Sequence, residues 1–230
     1  MKPERAAKIL AQTRMFSGID VTTLERVAER CIERSYKKGQ LIFHQGDPGE
    51  SLFVVVEGFV KVLVPSPEGG EIVLVTLEPH ATFGELALID GGPRSASAEA
   101  LGPTNLLVLT RATLLDLFAD HPQLTDTLLR SFGAIIRRLT EQAADLVFLD
   151  LHGRVAKLLT ALADEQREPD ATEVVLDLHM TQTDLASMVG GSRQSVNQIL
   201  RGLADQGYLE IHGRTIVVKR LELLRKRAGP

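Results

Sequence analysis

Between residues 35 and about 110 the hydrophobic positions fall in short runs broken by glycines. The runs are QLIF (40–43), SLFVVVEG (51–58), VKVLV (60–64), EIVLVTL (71–77), SASAEAL (95–101) and LLVLT (106–110). Glycines at 39, 46, 49, 58, 69–70, 84 and 91–92 punctuate them. Runs of this length between turn residues predict strands, and their spacing predicts a small all-β sandwich or barrel. No long helical pattern lies inside the span, which argues against a parallel sheet joined by crossover helices. Before it, residues 4–34 carry a helical pattern with Leu24, Val27 and Ala28 facing inward. After it, over 122–149, Leu128, Phe132, Ile135, Leu139, Gln142, Leu146 and Leu149 recur in steps of four and three. That is an apolar seam over three heptads, with Gln142 as a single polar position able to set register. So narrow a seam suits a partner helix, most simply the same helix of a second subunit. Packing onto the chain's own β domain is the alternative.

The pattern changes again near Asp150, which places a hinge at 149–152. GRVAKLLTAL (153–162) opens a new helix, and ADEQREPDAT (163–172) reads as a polar surface loop. Thr181 followed three residues later by Asp184 predicts a capping-box helix start. Leu185, Met188 and Val189 give that helix an apolar stripe. Gly190-Gly191 frees the chain to reverse, and Ser192 is placed to cap a second helix. The second helix keeps Val196, Ile199, Leu200 and Leu203 on one face and presents Arg193, Gln194, Asn197, Gln198 and Arg201 on the other. Arg reads guanine bidentately, and Asn or Gln reads adenine, so this polar face suits the major groove of DNA. Gly207 stops the helix. YLEI (208–211) and TIVV (215–218) then form a hairpin, a wing whose tip holds His212 and Arg214 within reach of phosphate.

Charge looks wrong for a DNA binder until it is divided. The chain of 230 residues has a formal net charge of −4. Residues 1–150 hold 15 Lys and Arg against 20 Asp and Glu, whereas 185–230 hold 8 against 3. Phosphate attraction is local, screened within about 8 to 10 Å, so an acidic front half does not prevent binding by a basic tail. The hydrophobic fraction of 44% is enough for one or two cored domains. No run approaches the ~18 apolar residues of a membrane span, and the N-terminus lacks a signal-peptide pattern, which predicts a cytoplasmic chain. The single cysteine, Cys31, reads as a half-buried core residue on a helix and excludes internal disulfides. Six scattered histidines supply no metal cluster. No nucleophile-base pattern or Walker loop points to an enzyme.

FGELALIDGGPRSASAE (83–99) carries the remaining chemistry. Gly84-Glu85 opens a short helical turn after a strand, and Pro93-Arg94-Ser95-Ala96 follows about ten residues later. Glycine lets backbone approach a ligand, and helix-start amides with a guanidinium suit a phosphate. Glu85 suits a ribose hydroxyl. Pairing of Arg94 with Glu85 inside the fold is the alternative.

The order of β domain, GELAL (84–88) with PRSA (93–96), long helix and winged helix-turn-helix resembles the cyclic-AMP receptor protein and fumarate-nitrate regulator family of bacterial transcription factors. FLD-x-x-GR (148–154) and VGGSRQSV (189–196) are similar to that family's hinge and recognition helix. The resemblance spans nearly the whole chain. It implies an α+β fold: a β-roll (antiparallel jelly roll) over 1–121, a dimerisation helix and hinge over 122–150, and a winged helix-turn-helix over 151–230. It implies a ligand site of Gly84, Glu85, Leu86, Ala87, Arg94, Ser95, Ala96 and Thr140. In it Glu85 holds the ribose 2′-hydroxyl, Arg94 and Ser95 hold a cyclic phosphate, and Thr140 meets the base. Two positions depart. The first of the family's two adenine-reading hydroxyl residues is Leu139 here, and an arginine of some members is Ile135. Cyclic AMP is the first expectation, ahead of cyclic GMP or no ligand.

For DNA the resemblance keeps Arg193 as guanine reader, with Gln194 and Gln198 where other members carry glutamate and a basic residue. Gln prefers adenine, so an altered half-site within an inverted repeat is expected. Thr183, Ser192, Ser195, Arg201 and His212 are expected on phosphates. The implied partners are duplex DNA, a second copy of the chain and RNA polymerase. A constitutive DNA binder and a regulatory module for an enzyme or channel are the competing readings.

Overall fold

The computed structural model describes residues 1–66, 70–167, 171, 173–178, 180–213 and 215–228. They form two compact units, Met1–Ile136 and Arg137–Pro230.

In the first unit, α1 (Pro3–Gln12) and α2 (Val21–Glu29) precede eight strands. These are β1 (Ile32–Tyr36), β2 (Leu41–Phe43), β3 (Ser51–Glu57), β4 (Val60–Pro65), β5 (Glu71–Leu77), β6 (Thr82–Phe83), β7 (Ser97–Ala100) and β8 (Thr104–Thr110). Helix α3 (Glu85–Asp90) sits between β6 and β7, and α4 (Arg111–Asp120) leads into α5 (Gln123–Phe148). The strands make two antiparallel sheets, β1-β8-β3-β6 and β2-β7-β4-β5.

Residue alternation explains why β3 is hydrophobic at almost every position. Phe53 and Val55 join Leu106 and Val108 of β8, Val60 of β4 and Ala98 of β7 in a core between the sheets. Leu52 and Val54 point the other way, into a second core with Leu10 and Leu24 of the N-terminal helices, Leu114 and Leu117 of α4 and Leu124 and Leu128 of α5. A strand covered on both faces reads as a continuous apolar run.

The expected helical stretch at 4–34 needs correction. It is two helices, and Asp20 caps the second by accepting from the Thr23 amide at 2.9 Å. Ile32–Tyr36 leaves the helix to pair with β8 along the edge of the sheet. Leu24, Val27 and Ala28 are buried as expected. Cys31 lies just past α2, where its thiol donates to the Val27 carbonyl at 3.3 Å. Burial pushes the thiol pKa up to about 12, so it stays protonated and unreactive.

The long helix forms where expected, but its seam is divided. Leu128 is 6% exposed in the first unit's own core, and Phe132 packs against that core. Those two positions face the β domain. Further along, Leu139 and Leu146 are 43% and 59% exposed, beside Ile136 at 62%.

The second unit continues from the end of α5 into α6 (Leu151–Gln166), with Asp150 accepting from the Gly153 amide at 2.8 Å as its cap. The expected loop at 163–172 starts later than its composition suggests. Helix α6 runs to Gln166, where Asp164 pairs with Arg225. Then come β9 (Val174–Asp177), α7 (Gln182–Met188), α8 (Arg193–Asp205), β10 (Leu209–His212), β11 (Thr215–Val218) and α9 (Leu221–Arg227). The wing is three-stranded, in the order β10-β11-β9.

Candidate functional site

The helix pair α7–α8 is built by local devices that can be followed atom by atom. The Thr181 amide donates to the Asp184 carboxylate at 2.8 Å, and the Asp184 amide donates to the Thr181 hydroxyl at 3.2 Å. Gly190 turns the chain at φ +65°. A Cβ on Gly191 would meet a Leu151 methyl at 2.7 Å, so a larger residue there would have to displace the Leu151 side chain. Ser192 accepts from the Ser195 amide at 3.1 Å and starts α8. At the far end Gly207 adopts φ +71° and the Tyr208 amide donates to the Leu203 carbonyl at 3.0 Å, a closure that satisfies end carbonyls.

Val196, Ile199, Leu200 and Leu203 are buried beneath α8. Arg193, Gln194, Gln198 and Arg201 are exposed, and Asn197 is half-buried with a carbonyl oxygen that has no partner. These five side chains line an open groove of about 920 Å³ together with Gly202, Asp205 and His152 of α6. Among the expected phosphate contacts, Thr183 and Ser192 are exposed and Ser195 is half-buried in the first turn of α8. His212 is exposed at the end of β10, with Nε2 3.3 Å from the Glu210 carboxylate. Its hydrogen bond to Glu210 holds that carboxyl below its ordinary value, aided by Lys219. Arg214 lies outside the described residues.

Arg154, the last residue of FLD-x-x-GR and given no role from sequence, ties the break between α5 and α6 to the helix pair. Its Nη1 donates to the Leu149 carbonyl and its Nε to the Val189 carbonyl, both at 2.8 Å.

In the first unit the chemistry centres on Arg94, which is only 5% exposed. Its Nη1 donates to the Gly84 carbonyl at 2.7 Å and its Nη2 to the Ser51 carbonyl at 2.8 Å. The guanidinium lies 4.3 Å from the Phe43 ring centre, close enough for a cation–π contact. Its Nε is buried and has no partner. Nη1 and Nη2 thus each spend one N–H on backbone, and the Nε N–H is left buried without a bond, which an anionic oxygen fits. Arg94 does not ion-pair with Glu85 among the described residues. Burial pulls the guanidinium below its ordinary pKa, opposed by the charges of Glu85 and Asp47. Burial likewise raises the Glu85 carboxyl, opposed by its own backbone amide and by Arg94.

Space around this cluster is tight. Gly84 has φ +84°, and a Cβ there would meet Arg94 Nη1 at 2.7 Å. A Cβ on Gly49 would meet the Ala87 Cβ at 2.1 Å. Glu85 opens α3 half-buried, Leu86 is exposed, Ala87 is buried, Ser95 is exposed and Ala96 is buried. Thus seven of the expected ligand residues gather on α3 and the segment ending at Ala96. Thr140 is exposed on α5, within the second unit. Arg111, unremarked in the sequence, donates from Nε to the Leu88 carbonyl at 3.0 Å and fastens the other end of α3.

Comparison with known proteins bears on both sites. Residues 33–121 match the family model of the cyclic nucleotide-binding domain, and 153–227 that of the Crp-like helix-turn-helix domain. A CRP-like cAMP-activated global transcriptional regulator of Mycobacterium tuberculosis is 33% identical over 223 residues, 96% of this chain and 99% of that protein. The cAMP-activated global transcriptional regulator CRP of Salmonella typhimurium is 34% identical over 203 residues, 85% of this chain and 93% of that protein. FixK2 from Bradyrhizobium japonicum shares the fold with a TM-score of 0.77 at 23% identity, over 87% of this chain and 98% of that one.

Proposed function

This chain belongs to the cyclic-AMP receptor protein and fumarate-nitrate regulator family, and we propose that it is a homodimeric transcription regulator gated by cyclic AMP. It is a DNA-binding regulator with a cyclic nucleotide-binding domain, and the further steps concern which ligand, which assembly and which residues. The observation that carries the ligand reading is the Nε of Arg94, buried and unpartnered while Nη1 and Nη2 each donate to a backbone carbonyl. The cyclic phosphate binds there, with Ser95 and the Gly84 and Ala96 backbones as further contacts and Leu86 and Ala87 alongside. Glu85 takes the ribose hydroxyl. The role of Thr140 on the base rests on the family resemblance alone.

On the DNA side, Arg193 reads guanine, and Gln194, Asn197 and Gln198 read adenine-containing steps. Thr183, Ser192, Ser195, Arg201 and His212 hold phosphates. Exposed Ile136, Leu139 and Leu146 supply the surface for a second copy. The pair sets two α8 helices about 34 Å apart on an inverted repeat. The ligand acts by binding the DNA-competent arrangement better than the other. We place the protein in the cytoplasm, with RNA polymerase as its protein partner. No described helix is long and apolar enough to cross a membrane.

A second reading keeps DNA binding and drops the effector, and Leu139 in place of a base-reading hydroxyl favours it. Calorimetric titration of the purified protein with cyclic AMP and with cyclic GMP, each followed by binding to selected duplex DNA, separates the two. Saturable binding that tightens DNA affinity supports the gated switch and identifies the base. Tight DNA binding with no nucleotide response supports the second reading.

A further inference from the structure

Helix α3 carries Glu85, and its own length cannot hold it in place. Its 6 residues fall far short of the ~12–15 below which an isolated helix is marginal in water. Both of its ends are glycines in the left-handed region, Gly84 at φ +84° and Gly91 at φ +69°. Of its side chains, Ala87 and Leu88 are buried. Where α3 sits therefore depends on what grips it from outside.

Two arginines grip it, one at each end. Arg94 holds the Gly84 carbonyl just before the helix. Arg111, the first residue of α4, donates from Nε to the Leu88 carbonyl at 3.0 Å. A helix leaves its last four carbonyls without an internal partner, and Leu88 carries one of them, where a cation also complements the peptide dipoles. Both arginines are anchored at the same place. The Arg111 amide donates to the Glu50 carbonyl at 3.0 Å, and Arg94 Nη2 donates to the carbonyl of the next residue, Ser51, at 2.8 Å. The start of β3, Arg94, α3 and Arg111 thus close a ring of hydrogen bonds. Thr110 caps α4 by accepting from the Thr113 amide at 3.3 Å, which fixes the backbone that carries Arg111. Arg111 itself is exposed, so its side chain adds little to the core.

We propose that Arg111 is a positioning residue of the ligand site, holding α3 so that Glu85 meets the ribose while Arg94 meets the phosphate. The inference rests on the reading of that site as nucleotide-binding. Arg111 acts through α3 and not on the ligand. Its bond to Leu88 removes the freedom of the short helix to pivot on Gly84 and Gly91, and ordering that is complete beforehand is not charged against binding.

The test is calorimetric titration of the full chain with cyclic AMP, comparing wild type, Arg111→Met, Arg111→Lys, Glu85→Gln and the double variant Glu85→Gln with Arg111→Met. Arg111→Met keeps an apolar stem and loses the donor, and it weakens binding about 3- to 10-fold while the ligand-free Tm stays within a degree or so. Arg111→Lys, which can still donate to the Leu88 carbonyl, keeps affinity within about 2-fold of wild type. The decisive readout is coupling. Once Glu85→Gln has removed the carboxylate that α3 presents, Arg111→Met costs no more than about 2-fold further. Wild-type affinity in Arg111→Met overturns the proposal. So does a full additive loss in the double variant, which would mean that Arg111 acts elsewhere than through Glu85, and so does a Lys variant as weak as the Met one. Wild-type protein that binds no cyclic AMP overturns the ligand reading itself, and the role of Arg111 with it, before any variant is compared.

Discussion

The two sites of this chain hold their arginines in opposite ways. Arg94 is buried, bonded to two backbone carbonyls and stacked on Phe43, with its Nε N–H buried and unpartnered. Arg193 and Arg201 stand exposed on α8. The first arrangement gives up freedom in advance and suits one small ligand of fixed shape. The second retains rotamer freedom and suits a polyanion whose bases vary along its length. Preorganisation within a core and adaptability at a surface are thus carried by the same residue type, distinguished only by what surrounds it.

Substitutions should pull this contrast apart. The largest effect belongs to Arg94→Ala, which removes the proposed phosphate donor and its bonds to the Gly84 and Ser51 carbonyls. We expect loss of measurable nucleotide binding by calorimetry, together with a stability cost of about 1–3 kcal/mol per orphaned group in denaturant unfolding. Retained affinity would show that Arg94 only braces the fold. Next, Leu200→Ala beneath α8 should cost about 2–5 kcal/mol of the second unit's stability, read as an early unfolding transition. Arg193→Ala, on the opposite face, should leave Tm within a degree or so yet lose about 1–3 kcal/mol of DNA binding and relax one base position. Equal weakening on every sequence would demote it to a phosphate contact.

The smallest effect tests the burial of Glu85. Its raised pKa means that the folded chain favours the protonated carboxyl, so the associated stability is present at low pH and is lost as pH rises through the folded-state pKa. Glu85→Gln should therefore raise Tm modestly at pH 7, with the gain fading toward pH 4, while nucleotide affinity falls. A variant that melts lower than wild type at pH 7 would show that the carboxylate is stabilised by its neighbours.

Much of the second unit was legible because its signals are local. Thr181 with Asp184, Ser192 at its cap and Gly207 at its stop each act within a few residues, and the structure keeps all three. What was not legible depends on distant partners. Ile32–Arg34 continue a helical pattern, yet Ile32–Tyr36 pairs as a strand with β8, 68 to 76 positions away. Leu128 and Phe132 share a seam with Leu139 and Leu146, but periodicity shows which side is apolar, not what covers it. Val174–Asp177 is too short to stand out beside a polar stretch. In the ligand region GELAL and PRSA were visible as motifs, whereas the Ser51 carbonyl that fixes Arg94 lies 43 positions away. No spacing rule points to it. His152 reads as one of six scattered histidines until α6 is set beside α8.

The caps on α8 also set how much this protein can know about a sequence. Ser192 and Gly207 confine the helix to Arg193–Asp205, and its exposed polar face runs from Arg193 to Arg201, about 12 Å at 1.5 Å per residue. At 3.4 Å per base pair that stretch covers about four pairs. With four distinguishable pairs at each position, one helix separates roughly 256 words. A genome offers about 10⁶–10⁹ competing sites, so a single copy would find its word almost everywhere. Two copies on one operator raise the count to roughly 65,000, and the remaining selectivity has to come from the shape of the intervening DNA or from neighbouring proteins. A helix 13 residues long is in this sense a limit on vocabulary.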